Sequence, residues 1–258
     1  MKQRHDEAYV LGTHELGDAD LIVTLLAEQA GRVRGVAPSA RKSRRRFGGA
    51  LEPMTRVRAS WVEREGRELH RIESLEMGRS YATMQADPAV HAACAVFCEL
   101  GAAVAREGEA DPKTFRLLGA VLESLESGLD PWVAVRYFEF WVLRLHGLLP
   151  DPSACSACGR SLAEEDPAVA IAGEGVRCVG CARTAGRAGR ALTAADRAFL
   201  MAATILPPTR MGAHRQEARP GGALEEFLKG SLESFVERRF RTYRHLQAAT
   251  RALSLERP

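Results

Sequence analysis

The chain has 258 residues, 46% hydrophobic and 27% charged, with a net charge of +3. That length holds a substantial core or two modest domains, and the composition is too apolar for a disordered chain. No apolar run reaches the ~20 residues that a membrane-spanning helix needs, and the opening segment MKQRHDEAYVLG has no apolar stretch ahead of a cleavage site, so a cytoplasmic protein with no membrane partner is expected.

The mean charge hides its distribution. Residues 31–60 carry nine basic side chains against one acidic, whereas residues 81–150 carry five against nine. Lys2, Lys42, Lys113 and Lys229 are the only lysines; the other cations are arginines. Arginine grips phosphate through two parallel hydrogen bonds. A GC-rich genome would also raise the arginine content, but it would not cluster it.

The first eighty residues read as strands. Segments 8–14, 20–28, 31–37, 55–64 and 68–77 are short, rich in large or β-branched apolar residues, and punctuated by Gly17-Asp18, Gly31, Gly48-Gly49 and Gly66. Five strands with one longer excursion after the third predict an OB-fold barrel over residues 1–80. That excursion, PSARKSRRRFGG, holds Arg41, Lys42, Arg44, Arg45 and Arg46. A solvated loop and a seat for a polyanion are both open readings. Strand alternation puts Arg32 with Arg34, and Arg56 with Arg58, on shared outer faces, with Val33, Val57 and Trp61 turned inward. Phe47 is the one aromatic residue in the basic run that could stack on a base.

Beyond residue 80 the apolar period becomes helical, so the whole is an α+β multidomain chain with a helical domain over 81–258. Val90, Cys94, Phe97, Cys98, Gly101 and Val104 share a face, which makes Cys94 and Cys98 core residues. Asp111-Pro112 and Asp130-Pro131 each open a helix. Segment 192–204 reads as a fourth, capped by Thr193, and 223–246 as one long last helix. No P-loop, nucleophile elbow, zinc-protease or dinucleotide motif occurs, and THELGDAD, though it holds a histidine and three carboxylates, reads as a turn. A non-enzyme is expected.

Cys155-x-x-Cys158 and Cys178-x-x-Cys181 stand nineteen residues apart, the spacing of a four-thiolate zinc site. Two intervening residues let the chain turn both sulfurs toward one ion, and two such turns complete a tetrahedron. A zinc-ribbon-like insertion at about 151–185 with one structural Zn2+ follows. The redox reading of C-x-x-C wants a single motif at a helix start.

Together, VLGTHELGDADLIVTLLAEQAGRVRGVAPSARKSRRRFGGALEP, RYFEFWVLRLHGLLPDPSACSACG and GVRCVGCA resemble the RecO family of bacterial recombination mediators, over about residues 7–182. The resemblance implies an N-terminal OB-fold, a helical domain with a zinc element, and binding of single- and double-stranded DNA. It also implies annealing of complementary strands and, with RecR, loading of RecA onto strands coated by single-stranded-DNA-binding protein. Ala27 and Pro38 depart from the family pattern. On this reading Arg32, Arg34, Arg41, Lys42, Arg44, Arg45, Arg46, Arg56 and Arg58 meet DNA, and Phe240, Arg241, Tyr243 and Arg244 on the last helix take the acidic tail of the single-stranded-DNA-binding protein. The alternatives are a barrel-plus-zinc factor for RNA or the ribosome, and a pure protein adaptor.

Overall fold

A computed structural model describes residues 2–43, 46–63, 66, 68–162 and 166–255. The chain divides into two compact units, Met1–Gly119 with Thr242–Pro258, and Ala120–Arg241.

The first unit is built on strands β1 (Lys2–Leu16), β2 (Asp20–Ala27), β3 (Gly31–Ala37), β4 (Arg56–Glu63) and β5 (His70–Arg79). They close in the order β1-β2-β3-β5-β4, the OB-fold barrel. Val10, Val23, Leu25, Val33, Val57, Trp61 and Ile72 fill it. Alternation is clean in β3, where Gly31, Val33, Gly35 and Ala37 are buried and Arg32, Arg34 and Val36 are not. Closure depends on Gly35, which pairs in parallel with His70. A Cβ there would sit 2.7 Å from Ile72 Cδ1 and 3.0 Å from the His70 carbonyl oxygen.

Strand β1 starts six residues before the expected position. Its polar opening has no strand-like composition, yet Lys2 to Glu7 pair with β4, helped by the Arg4–Glu63 ion pair at 2.9 Å. A bulge between Val10 and Gly12 interrupts its register with β2. Ala8, Tyr9, Val10 and Leu11 are all buried in succession, because helices cover the outside of the strand there. Helix α1 (Pro88–Val104) is capped by Asp87, and α2 (Pro112–Glu126) starts after Asp111. Tyr9 lies 4.8 Å from Phe115 between ring centroids, and Leu11 approaches Gly101. Helix α1 carries Cys94, buried, and Cys98, half-buried. Burial pushes the Cys94 thiol up to about 12 and also raises that of Cys98, with Cys94 adding to the second shift.

The second unit contains α3 (Pro131–Leu145), capped by Asp130, a sheet of β6 (Ala168–Ile171), β7 (Gly175–Cys178) and β8 (Arg190–Leu192) in the order β7-β6-β8, and the short α4 (Val179–Arg183). Helix α5 (Ala194–Ile205) begins with a reciprocal cap between Thr193 and Asp196, and α6 (Ala223–Phe235) follows. Arg136 and Glu139 on α3 are fully buried, and pair with each other.

The long last helix expected over 223–246 is two helices. Helix α6 ends at Phe235, and α7 (Tyr243–Leu255) belongs to the barrel unit. Glu237 takes φ +54°, and the Arg238 N–H reaches back to the Glu233 carbonyl at 3.2 Å. This is a Schellman stop made without glycine. The Glu233 carboxylate then accepts from the Phe240 N–H at 3.0 Å and from Arg239 at 2.9 Å, fixing the exit.

Candidate nucleic-acid interface and metal centre

The outer rows of the barrel decide which basic residues are available. Arg32 pairs across to Leu26, Leu26 to Tyr9, and Tyr9 to Arg56, so these four share one row. Tyr9 and Leu26 in its middle are buried. Arg32 donates to the Ala102 carbonyl of α1 at 3.0 Å, and the Arg56 guanidinium lies 5.6 Å from the centre of the Phe115 ring. These two arginines therefore edge the helices that roof the barrel, and the continuous charged face expected from alternation is interrupted there.

Arg34 stands one row away, opposite Thr24, on the side of the basic loop. Arg58 lies one row away on the other side, opposite Glu7. Glu7 takes both arginines of β4, Arg56 at 3.1 Å and Arg58 at 3.6 Å.

The described part of the basic loop is folded. Ser39 N–H donates to Asp20 at 2.8 Å, and Arg41 N–H to the Ala19 carbonyl at 3.2 Å, which ties the loop to the β1–β2 hairpin. Phe47, 1% exposed, belongs to the barrel core with Ala40 and Ala50, so its ring is unavailable to a base. Arg46 turns inward: it donates to the Pro38 carbonyl and, at 3.2 Å, to Ser43, and lies over the Phe47 ring. Arg41 and Lys42 stay exposed, Arg41 at 3.4 Å from Glu15. Arg44 and Arg45 lie outside the described residues. Arg34 and Lys42 have no side-chain partner among the described residues.

The four cysteines come together in the second unit, their sulfurs all within 4.8 Å of one another. Tetrahedral zinc with bonds near 2.3 Å sets sulfurs about 3.8 Å apart, so the donor set suits such an ion with a small contraction. The β6–β7 hairpin returns the chain so that Cys178, at the end of β7, meets Cys155. Cys178 N–H points at the Cys155 sulfur at 3.4 Å. Arg197 of α5 braces the segment between the knuckles by donating to the carbonyls of Leu162 and Asp166.

Burial alone would push the Cys155 thiol up, but N–H groups of Cys178, Cys158 and Ala157 outweigh it and bring it to about 6. Cys178 is also held below the usual thiol value, chiefly by the Cys181 N–H. Cys181 is pushed up to about 12, because it hydrogen-bonds the sulfurs of Cys178 and Cys158. Metal binding takes cysteine as thiolate, so a divalent cation bound among these four sulfurs would displace their remaining protons. Cys178 does follow a strand and cap the short α4, the local setting of a redox pair, but convergence of all four sulfurs favours a metal.

The docking stripe read on the last helix is not a single helical face. Phe240 and Arg241 fall in the break before α7, and Tyr243 and Arg244 begin α7. Phe240 is 7% exposed and Tyr243 2%, so neither ring offers a surface floor to a peptide. Among the described residues, no helix is long and apolar enough to cross a membrane.

Family models agree with this arrangement. That for the recombination protein O N-terminal region matches residues 1–81, and that for its C-terminal region matches residues 85–239. The chain belongs to the RecO family. It is 36% identical over 242 residues to the DNA repair protein RecO of Geobacter sulfurreducens, covering 89% of this chain and 95% of that one. The protein of the same name from Anaeromyxobacter sp. (strain Fw109-5) is 35% identical over 241 residues, covering 90% and 92%. That of Koribacter versatilis is 40% identical over 159 residues, which span 62% of this chain and 65% of the relative, just under two thirds of its length. The two family models take in the barrel, the cysteine centre and α6, and the second ends at residue 239, before α7.

Sequence reasoning missed three features of the site. Glu7 was invisible because it meets Arg56 and Arg58 only through the β1–β4 pairing. The inward turn of Arg46 has a weak signal in the adjacent Phe47, an apolar anchor in a polar loop. The role of α1 and α2 as a roof over β1 shows in the four apolar residues Ala8 to Leu11, which break strand alternation.

Proposed function

We propose that the chain is a DNA repair and recombination mediator that binds single- and double-stranded DNA and anneals complementary single strands. The observation that carries this reading is a RecO-family barrel in which the exposed Arg41, Lys42 and Arg58, with the half-buried Arg34, flank the row that the helices cover. Arginine and lysine hold phosphate without reading sequence. Neutralising phosphates on two strands lowers their repulsion and leaves the bases free to pair. With Phe47 in the core, binding rests on charge and not on stacking at that position. Arg44 and Arg45, outside the described residues, remain part of the proposed track, with Arg56 at its edge; Arg32 and Arg46 hold the fold together.

In the same reading the chain works with RecR to load RecA onto strands coated by single-stranded-DNA-binding protein, whose acidic tail it engages. Cys155, Cys158, Cys178 and Cys181 hold one structural Zn2+, with no open position for catalytic water. The test is annealing of complementary oligonucleotides, naked and coated with single-stranded-DNA-binding protein. Acceleration on both is expected. Preference for RNA over DNA of the same sequence would favour the RNA-factor alternative, and no acceleration of either would overturn the proposal.

A further inference from the structure

Among the helices longer than two turns, the C-terminal helix α7 alone carries basic residues and no carboxylate. From Phe240 to Leu255 the chain contains Arg241, Arg244, His245 and Arg251 and no carboxylate. The helix is amphipathic. Tyr243 and Leu246 are buried and lie, with half-buried Thr250, at i, i+3 and i+7. Arg244, Ala248 and Arg251, at i, i+4 and i+7, are all exposed. Arg244 and Arg251 have no partner among the described residues.

Helix stability does not explain this face. A solvated helix gains from opposite charges three or four residues apart, and α7 has none. A cation in the first turn, where Arg244 stands, opposes the helix dipole. Soluble surfaces mix both signs, and a surface of one sign carries self-repulsion unless a partner of opposite sign uses it.

The setting identifies the partner. Helix α7 belongs to the barrel unit and packs on α1. Its start is fixed there, because the Thr242 N–H and hydroxyl both donate to Glu99 of α1, at 2.9 and 2.7 Å. Ala102, three residues further along α1, accepts from Arg32 of β3. One turn of α1 therefore ties the basic strand Arg32–Arg34 to the start of α7.

We propose that the exposed face of α7, through Arg244 and Arg251, is a second phosphate-binding surface that extends the barrel's DNA track. This rests on the DNA-binding reading of the barrel. The chemistry it recognises is the backbone of single-stranded DNA: two cations on one helical face, two turns or about 10 Å apart along the axis, with the small Ala248 between them, can each take a phosphate and make no demand on base identity.

The test is fluorescence anisotropy of the full chain on labelled oligothymidine across a salt series. Each phosphate contact on single strands contributes about 0.7 to the log–log salt slope. Arg244→Ala with Arg251→Ala should therefore flatten the slope by about 1.4 and weaken binding about 25-fold at 0.1 M salt. The double lysine variant keeps the charge and should keep the slope. Both changes are at exposed positions, and an unchanged melting temperature will show that the fold is intact. Arg34→Ala with Lys42→Ala serves as the barrel control. If the control flattens the slope and the α7 variant does not, the α7 surface is refuted and the barrel reading stands. If neither alters it, the DNA reading has failed, and this inference with it. Loss of an acidic peptide's binding with the oligothymidine slope unchanged would assign α7 to a protein partner and overturn the proposal.

Discussion

Replacing Glu7 with glutamine should make the protein bind DNA more tightly. Glu7 stands between Arg56, at 3.1 Å, and Arg58, at 3.6 Å, one carboxylate oxygen facing each. The three side chains together carry a net charge of about +1, and removing the carboxylate raises it to about +2. If Arg56 and Arg58 belong to the DNA track, one more phosphate can be neutralised. On single strands that steepens the log–log salt slope by about 0.7, or about 5-fold in affinity at 0.1 M salt. The cost in stability is small: the side chains are 42%, 70% and 33% exposed for Arg56, Arg58 and Glu7, and ion pairs that wet contribute only about 0.2–1 kcal/mol. Anisotropy on labelled oligothymidine from low to high salt reads affinity and slope together. A Glu7→Gln protein that melts normally, yet binds with unchanged affinity and slope, would show that the Arg56–Arg58 edge lies outside the track.

Metal analysis of freshly purified, reduced protein should find about one zinc per chain, and Cys155→Ser should abolish stoichiometric binding and loosen the 151–185 segment to protease. A site of this type contributes an apparent ~10–16 kcal/mol, so chelation should destabilise the second unit strongly; intact protein with no metal would refute the assignment. Gly31→Ala should lower the urea midpoint clearly. Gly31 sits at φ +65°, and a Cβ there would lie 2.1 Å from the Glu109 carbonyl oxygen and 2.4 Å from that of Arg106, so the loss should exceed the ~1 kcal/mol typical of a left-handed position alone; a midpoint within error of the parent would count against the tight packing of the β2–β3 turn on the α1–α2 loop.

Much of this fold was legible because its signals are local. The strand from Gly31 to Ala37, the Asp-Pro helix starts at 111 and 130, and the cap at Thr193 each need only a few neighbouring residues. The cysteine centre was legible for the same reason, since two C-x-x-C turns specify their own geometry. What escaped depends on distant parts of the chain. Nothing around residue 236 marks a helix end, because Glu237 adopts the left-handed conformation that glycine usually supplies, and a carboxylate four residues earlier holds the exit. The docking stripe on Phe240 to Arg244 fell with that helix. The return of α7 to the barrel unit depends on Glu99, more than a hundred residues away in sequence.

The same distinction governs how the basic loop should be valued. Counting residues, the loop offers five cations, worth roughly 3.5 in salt slope at 0.7 each. Arg46 spends its guanidinium on Pro38 and Ser43 within the loop, so at most four remain, and the expected loop contribution drops to about 2.8. Arg41 already meets Glu15; a phosphate that binds it replaces a carboxylate and gains less than a full contact. Such partly neutralised arginines bind each phosphate weakly and release it readily. On the proposed reading this is an advantage, because a protein that anneals strands must let go of the duplex it has made. Affinity then comes from many small contacts spread over the loop, the strand edge and α7, and a rise in salt dissolves them together.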